Sequence, residues 1–133
     1  MSILVDSNVI LDIFTEDEEW LDWSSSALER CAGAGRLLIN PIVYAEVSLR
    51  FESIEELDEA LPREYFVRED LPWPAAFLAA QAFLRYRRRG GQRAHPLPDF
   101  YIGAHAAIGS YALLTRDPRR YRTYFPKLRV IAP

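Results

Sequence analysis

Two carboxylates stand alone in the C-terminal half of this 133-residue chain. Asp99 and Asp117 are the only acids after Asp70, set among eleven Arg and Lys in residues 71–133. Isolated acids in an arginine-rich stretch are seldom there for solubility. Asp99 is expected to open a helix and Asp117 to follow an apolar strand. Asp6 closes the first apolar run, and Glu46 falls on the helix expected after the second. Four carboxylates at such places suit a cage of hard oxygen donors for Mg2+ or Mn2+, metals of phosphodiester chemistry. Each also has an ordinary alternative. Asp at a strand end bonds its own backbone. Asp in a first helical turn complements the helix dipole. Glu46 stands four residues from Arg50, the spacing of a helical ion pair.

The elements that must position these acids read as alternating strands and helices. Apolar runs predict strands at residues 2–6, 37–39, 65–67, 111–115 and 128–131. Residues 9–14 make a helical turn or two. Thr15 caps a helix expected to run from the acidic stretch Glu16–Glu19 to about Ala32, stopped by Gly33-Ala34-Gly35. Asn40-Pro41 caps and starts the helix of Tyr44, Glu46 and Arg50. Ser53 with Glu56 makes a capping-box pattern. Pro72–Pro74 introduces a long helix ended by Gly90-Gly91, and Pro98 starts a helix through about Gly109. This alternation predicts an α/β fold, a parallel sheet in an α/β/α sandwich. Ligands of such sheets bind beyond the carboxyl ends of the strands, where Asp6 and Asp117 would face one crevice if their strands are neighbours.

Composition narrows the class. Half the residues are apolar and 26% are charged, as in an ordinary folded protein, and the length suits one domain over residues 1–133. The lone Cys31 excludes an intrachain disulfide and a cysteine-rich zinc site. No basic-plus-apolar leader precedes the first strand and no apolar run reaches membrane-spanning length, so a cytoplasmic protein without membrane association is expected. Residues 1–70 carry 17 acids and 5 bases, a net charge of −12; residues 71–133 carry 2 acids and 11 bases, a net charge of +9. That asymmetry suits a polyanion-facing surface, unless the two halves interleave in space. The bases after Asp70 are arginine except Lys127, and arginine favours bidentate phosphate contact.

Four segments resemble the signature segments of PIN-domain ribonucleases: LVDSNVILDIF at 4–14, NPIVYAEV at 40–47, LPDFYIGAHA at 97–106 and LLTRDPRRY at 113–121. Their order and spacing are similar to VapC-type toxins of toxin–antitoxin pairs. The resemblance implies a PIN-like α/β/α sandwich and metal-dependent endoribonuclease activity. It implies Asp6, Glu46, Asp99 and Asp117 as the catalytic quartet, with Mg2+ (or Mn2+) held by Asp6, Asp99 and Asp117. Asn8 and Thr115 match the small polar positions that would fix carboxylate rotamers. The partners implied are an RNA substrate, a small antitoxin protein and a second copy in a homodimer. The remaining alternative is a catalytically silent PIN-like module that binds RNA or protein.

Other residues divide between contact and packing. Arg116, Arg119 and Arg120 flank Asp117 and are the first candidates to hold RNA, or the acids of an antitoxin. Arg85, Arg88 and Arg89 share a helix face and are the second candidates. His105 reads as a packed or surface histidine, and His95 falls in the loop before Asp99. Trp20, Trp23 and Phe51 are candidates for core or partner packing. Haloacid-dehalogenase-like and receiver folds also place an Asp after the first strand. The former needs a second Asp where Asn8 stands. The latter needs paired acids there and a lysine after a later strand, and Lys127 is misplaced for that role. No glycine-rich phosphate loop is present.

Overall fold

Five short apolar runs become strands, the three central ones buried along most of their length and the two edge strands partly exposed: β1 (Ser2–Val5), β2 (Arg36–Ile39), β3 (Phe66–Arg68), β4 (Ala112–Leu114) and β5 (Val130–Ile131). They form one parallel sheet in the order β3-β2-β1-β4-β5 in a computed structural model describing residues 1–91 and 97–133. Central β1 sets Leu4 opposite both Leu38 of β2 and Leu113 of β4. The chain moves outward from β1 to β3, then returns past β1 to β4. Right-handed crossovers therefore put the helices before β3 on one face and the later ones on the other. The strand order reverses between β1 and β4, which is where an open parallel sheet leaves a crevice.

The helices are α1 (Ser7–Phe14), α2 (Leu21–Ala34), α3 (Pro41–Ser48), α4 (Ile54–Ala60), α5 (Trp73–Arg88), α6 (Leu97–Gly109) and α7 (Arg119–Tyr124). Asn40 and Ser53 cap α3 and α4 through their side chains, as the sequence predicts. Gly90, at φ 86°, follows the end of α5. The α/β/α sandwich is therefore as expected. Among the described residues no helix is long and apolar enough to cross a membrane. Arg93 and His95 lie outside the described residues.

One local expectation changes. The acidic stretch after Thr15 is a turn, not the first turn of a helix, and α2 starts at Leu21. Glu16 takes a left-handed φ of 49°, and Asp17 Oδ1 accepts from the amides of Glu19 and Trp20. Thr15 itself closes α1, its hydroxyl donating to Leu11 O at 2.8 Å, so it caps no later helix. Trp20, Trp23 and Phe51 are half-buried, whereas Trp73 (89% exposed), Phe77 and Leu84 form an open stripe on α5.

Gly103 of α6 is the contact on which the site's geometry rests. A Cβ there would lie 2.5 Å from the Phe125 ring and 3.1 Å from Tyr121, both buried. Only a bare backbone lets α7 approach this closely. Helix propensity alone would favour Gly103→Ala by about 1 kcal/mol. The collision should reverse the sign and leave a net loss of about 1–2 kcal/mol, read from the midpoint of urea unfolding.

Candidate active site

Asp6 ends β1, and its N–H donates to Leu114 O of β4 at 2.8 Å. It occupies the N-cap position of α1 but makes no capping hydrogen bond with its side chain, which is buried. Among the described residues, every hydrogen bond to this carboxylate lands on Oδ2. Thr115 Oγ1 donates at 2.8 Å, the Tyr121 hydroxyl at 2.9 Å and Asn8 Nδ2 at 3.3 Å. The Asn8 amide is oriented because Oδ1 accepts from Arg116 N. Thr115 Oγ1 also accepts from Asp117 N at 3.1 Å, so one hydroxyl ties the Asp117 backbone to Asp6.

The other acids have their own partners. Ser7 Oγ donates to Glu46 Oε1 at 2.9 Å. The alternative Glu46–Arg50 pair is not made, because α3 ends at Ser48. Arg120 Nη1 forms an ion pair with Asp99 Oδ2. Asp117 is exposed. The acids nevertheless feel one another. Burial, then repulsion from Asp99 and Glu46, pushes the Asp6 carboxyl up to about 7, against hydrogen bonds from Thr115 and Tyr121. Glu46 is raised by burial and by Asp99. Asp99 is raised by burial and by Asp117, against the pull of Arg120. Burial first, and then Asp6 and Asp99, push the Tyr121 phenol well above its ordinary value.

Electrostatics thus links all four acids at the carboxyl ends of β1 and β4, but the expected cage is not preformed. Among the described residues no three His, Cys, Asp or Glu side chains gather as a metal cluster. Ser7, Arg120 and the Thr115–Tyr121–Asn8 group each engage a different carboxylate instead. The donor chemistry still fits Mg2+ or Mn2+. These are hard oxygens in a mutually repelling set, and magnesium typically keeps several waters and takes few carboxylates. A cavity of about 650 Å3 lies elsewhere, beside Ser2 and Ala112, the first residues of β1 and β4. That is the wrong end of a parallel sheet for this chemistry.

The arginines are more committed than their sequence suggests. Arg116 Nε donates to buried Asp12 Oδ2 at 2.8 Å, and its guanidinium lies 5.5 Å from the Trp20 ring centroid. Arg120 is taken by Asp99. Arg85 reaches Tyr124 O, and Arg89 lies over the Tyr124 ring. Arg119 and Arg88 are exposed. His105 is buried, as the packing alternative expected. Asn40 Oδ1 accepts from Val43 N, so Asn40 Nδ2 must face His105 Nδ1, and His105 Nε2–H donates to Glu69.

Sequence reasoning missed Ser7, Asp12 and Tyr121. Asp12 carried a signal, as a lone acid inside the apolar run VILDIF. It also accepts from Ser24 Oγ at 2.7 Å. Ser7 and Tyr121 carried none, because their partners lie 39 and 115 residues away.

The sequence profile of the PIN domain matches residues 3–126, and the chain belongs to that family. Solved structures share the fold. VapBC2 from Rickettsia felis, bound to promoter DNA, superposes with a TM-score of 0.75 at 17% identity, covering 100% of this chain and 99% of that one. VapBC-1 from nontypeable Haemophilus influenzae gives 0.74 at 16% identity, covering 99% and 98%. A toxin–antitoxin complex from Klebsiella pneumoniae gives 0.67 at 22% identity, covering 97% and 95%. A search of curated protein sequences gives no significant match.

The raised Asp6 carboxyl has a measurable consequence. The folded state holds that proton more tightly than the unfolded chain, whose Asp titrates near 3.8. Its contribution to stability is therefore full below about pH 4 and is lost as pH rises through about 7. Each unit is worth about 1.4 kcal/mol, so the loss is on the order of a few kcal/mol. Urea unfolding without divalent ions should show wild type losing stability between pH 5 and 8, and Asp6→Asn losing clearly less.

Proposed function

We propose that this protein is a VapC-type toxin, a Mg2+- or Mn2+-dependent endoribonuclease acting in the cytoplasm on RNA and restrained by a small antitoxin. The observation that carries the reading is geometric: the Thr115 hydroxyl ties Asp6 to the Asp117 backbone, adjacent Arg120 and Tyr121 contact Asp99 and Asp6, and Ser7, next to Asp6, holds Glu46. The antitoxin comes from the VapBC and toxin–antitoxin assemblies whose fold the chain shares. A homodimer is part of the same proposal, as the commonest closed assembly. The functional unit is taken to be the domain of residues 1–133.

In this reading Asp6, Asp99 and Asp117 would hold the ion, and the hydrogen bonds to Asp6 Oδ2 leave its Oδ1 without a protein partner among the described residues. A hard divalent ion supplies acidified water and neutralises phosphate charge when bound. Glu46, steadied by Ser7, would accept the proton of the attacking water as its oxygen bonds phosphorus and the P–O ester bond breaks, the leaving oxygen taking a proton from solvent. Asn8 and Thr115 keep Asp6 in its rotamer. Arg119 meets the RNA backbone first, with Arg116, Arg120 and the Arg85–Arg88–Arg89 face as further phosphate contacts.

A catalytically silent binding module is the second reading, favoured by the Arg120–Asp99 pair and the lack of a preformed cluster among the described residues. Incubation with a labelled RNA pool separates the two. Cleavage should require Mg2+ or Mn2+ and stop with chelator. Asp6→Asn should lower it beyond the roughly 10–100-fold that loss of a ligand's supporting hydrogen bond costs. Equal cleavage by wild type and Asp6→Asn would leave only the binding module.

A further inference from the structure

We infer that Arg120 is a built-in counter-cation that competes with a divalent ion for Asp99. The inference rests on the metal-site reading above and adds a residue that controls it. Arg120 and Asp99 are 34% and 32% exposed in their side chains, so their pairing is partly shielded from water. The guanidinium also lies 5.5 Å from the centroid of the Tyr86 ring, on α5, a second contact beside the Asp99 ion pair.

The backbone that carries it is fixed. Tyr121, the next residue, is buried and donates to Asp6 Oδ2, and Gly103 admits Tyr121 and Phe125 against α6. Adjacent residues of α7 thus contact two different acids of the site, Arg120 on Asp99 and Tyr121 on Asp6. Release of Asp99 therefore needs only a side-chain rotation of Arg120. A guanidinium stays charged at any working pH. It repels a divalent ion brought to the same carboxylate, so one cation must yield to the other. The displaced guanidinium stays within a side chain's reach of the site, where its planar fork suits a phosphate. Arg120 would then be freed for substrate by the ion that substrate cleavage requires.

Direct Mn2+ binding, measured by electron paramagnetic resonance of the free ion without RNA, tests the competition. Arg120→Gln should bind Mn2+ about two- to fivefold more tightly than wild type, the range a partly exposed ion pair commands. Arg120→Lys keeps the charge and should stay near wild type. Arg122→Gln removes an exposed arginine from the same helix, and should leave affinity unchanged if the effect is local. Circular dichroism checks that each variant is folded. Equal affinity in wild type and Arg120→Gln would overturn the competition while leaving the metal site intact. Equal tightening by Arg120→Lys or Arg122→Gln would overturn it as well. No Mn2+ binding by wild type or Arg120→Gln would refute the metal site, and the competition with it.

Discussion

A buried carboxylate is the constraint around which this molecule is organised. Asp6 is only 3% exposed, and an isolated charge there would be very costly. Donors from three elements offset that cost: Asn8 of α1, Thr115 at the end of β4 and Tyr121 of α7. They draw together the parts that meet where the strand order reverses. The offset is incomplete, since burial still outweighs the hydrogen bonds and leaves the carboxyl raised. Such a poised acid is stability given up locally, a common mark of a functional site.

The arginine-rich C-terminal half is not a free basic surface. Arg116 reaches across the sequence to Asp12, and Arg120 meets one of the two acids of its own half. The interleaving alternative therefore holds for Arg116. Its guanidinium joins α1, through Asp12, to the segment after β4, and stacks near Trp20 in the turn before α2. This pair, with Ser24 also on Asp12, explains why an acid sits inside the apolar run of α1.

Much of the architecture was legible because it depends on local chemistry. Apolar runs named all five strands to within a residue or two, and Asn40 and Ser53 marked their helix starts through short-range hydrogen bonds. The turn before α2 departs from the sequence expectation because Thr15 closes α1 while Asp17 holds the amides of Glu19 and Trp20, a division between neighbours that composition does not settle. The four acids stood out in the sequence by their placement and by resemblance. Their partners did not. Ser7, Tyr121 and the commitments of Arg116 and Arg120 depend on contacts between distant segments, which no pattern within one segment encodes. The same holds for Gly103, whose role is visible only once α7 lies against α6.

Crystals soaked in Mn2+ and measured at the manganese absorption edge would test the metal site most directly. Metal binding by the quartet predicts an anomalous peak about 2 Å from carboxylate oxygens of Asp6 and Asp99, with Arg120 turned away from Asp99. A peak elsewhere with Asp6 unligated, or no peak at millimolar Mn2+, would contradict it.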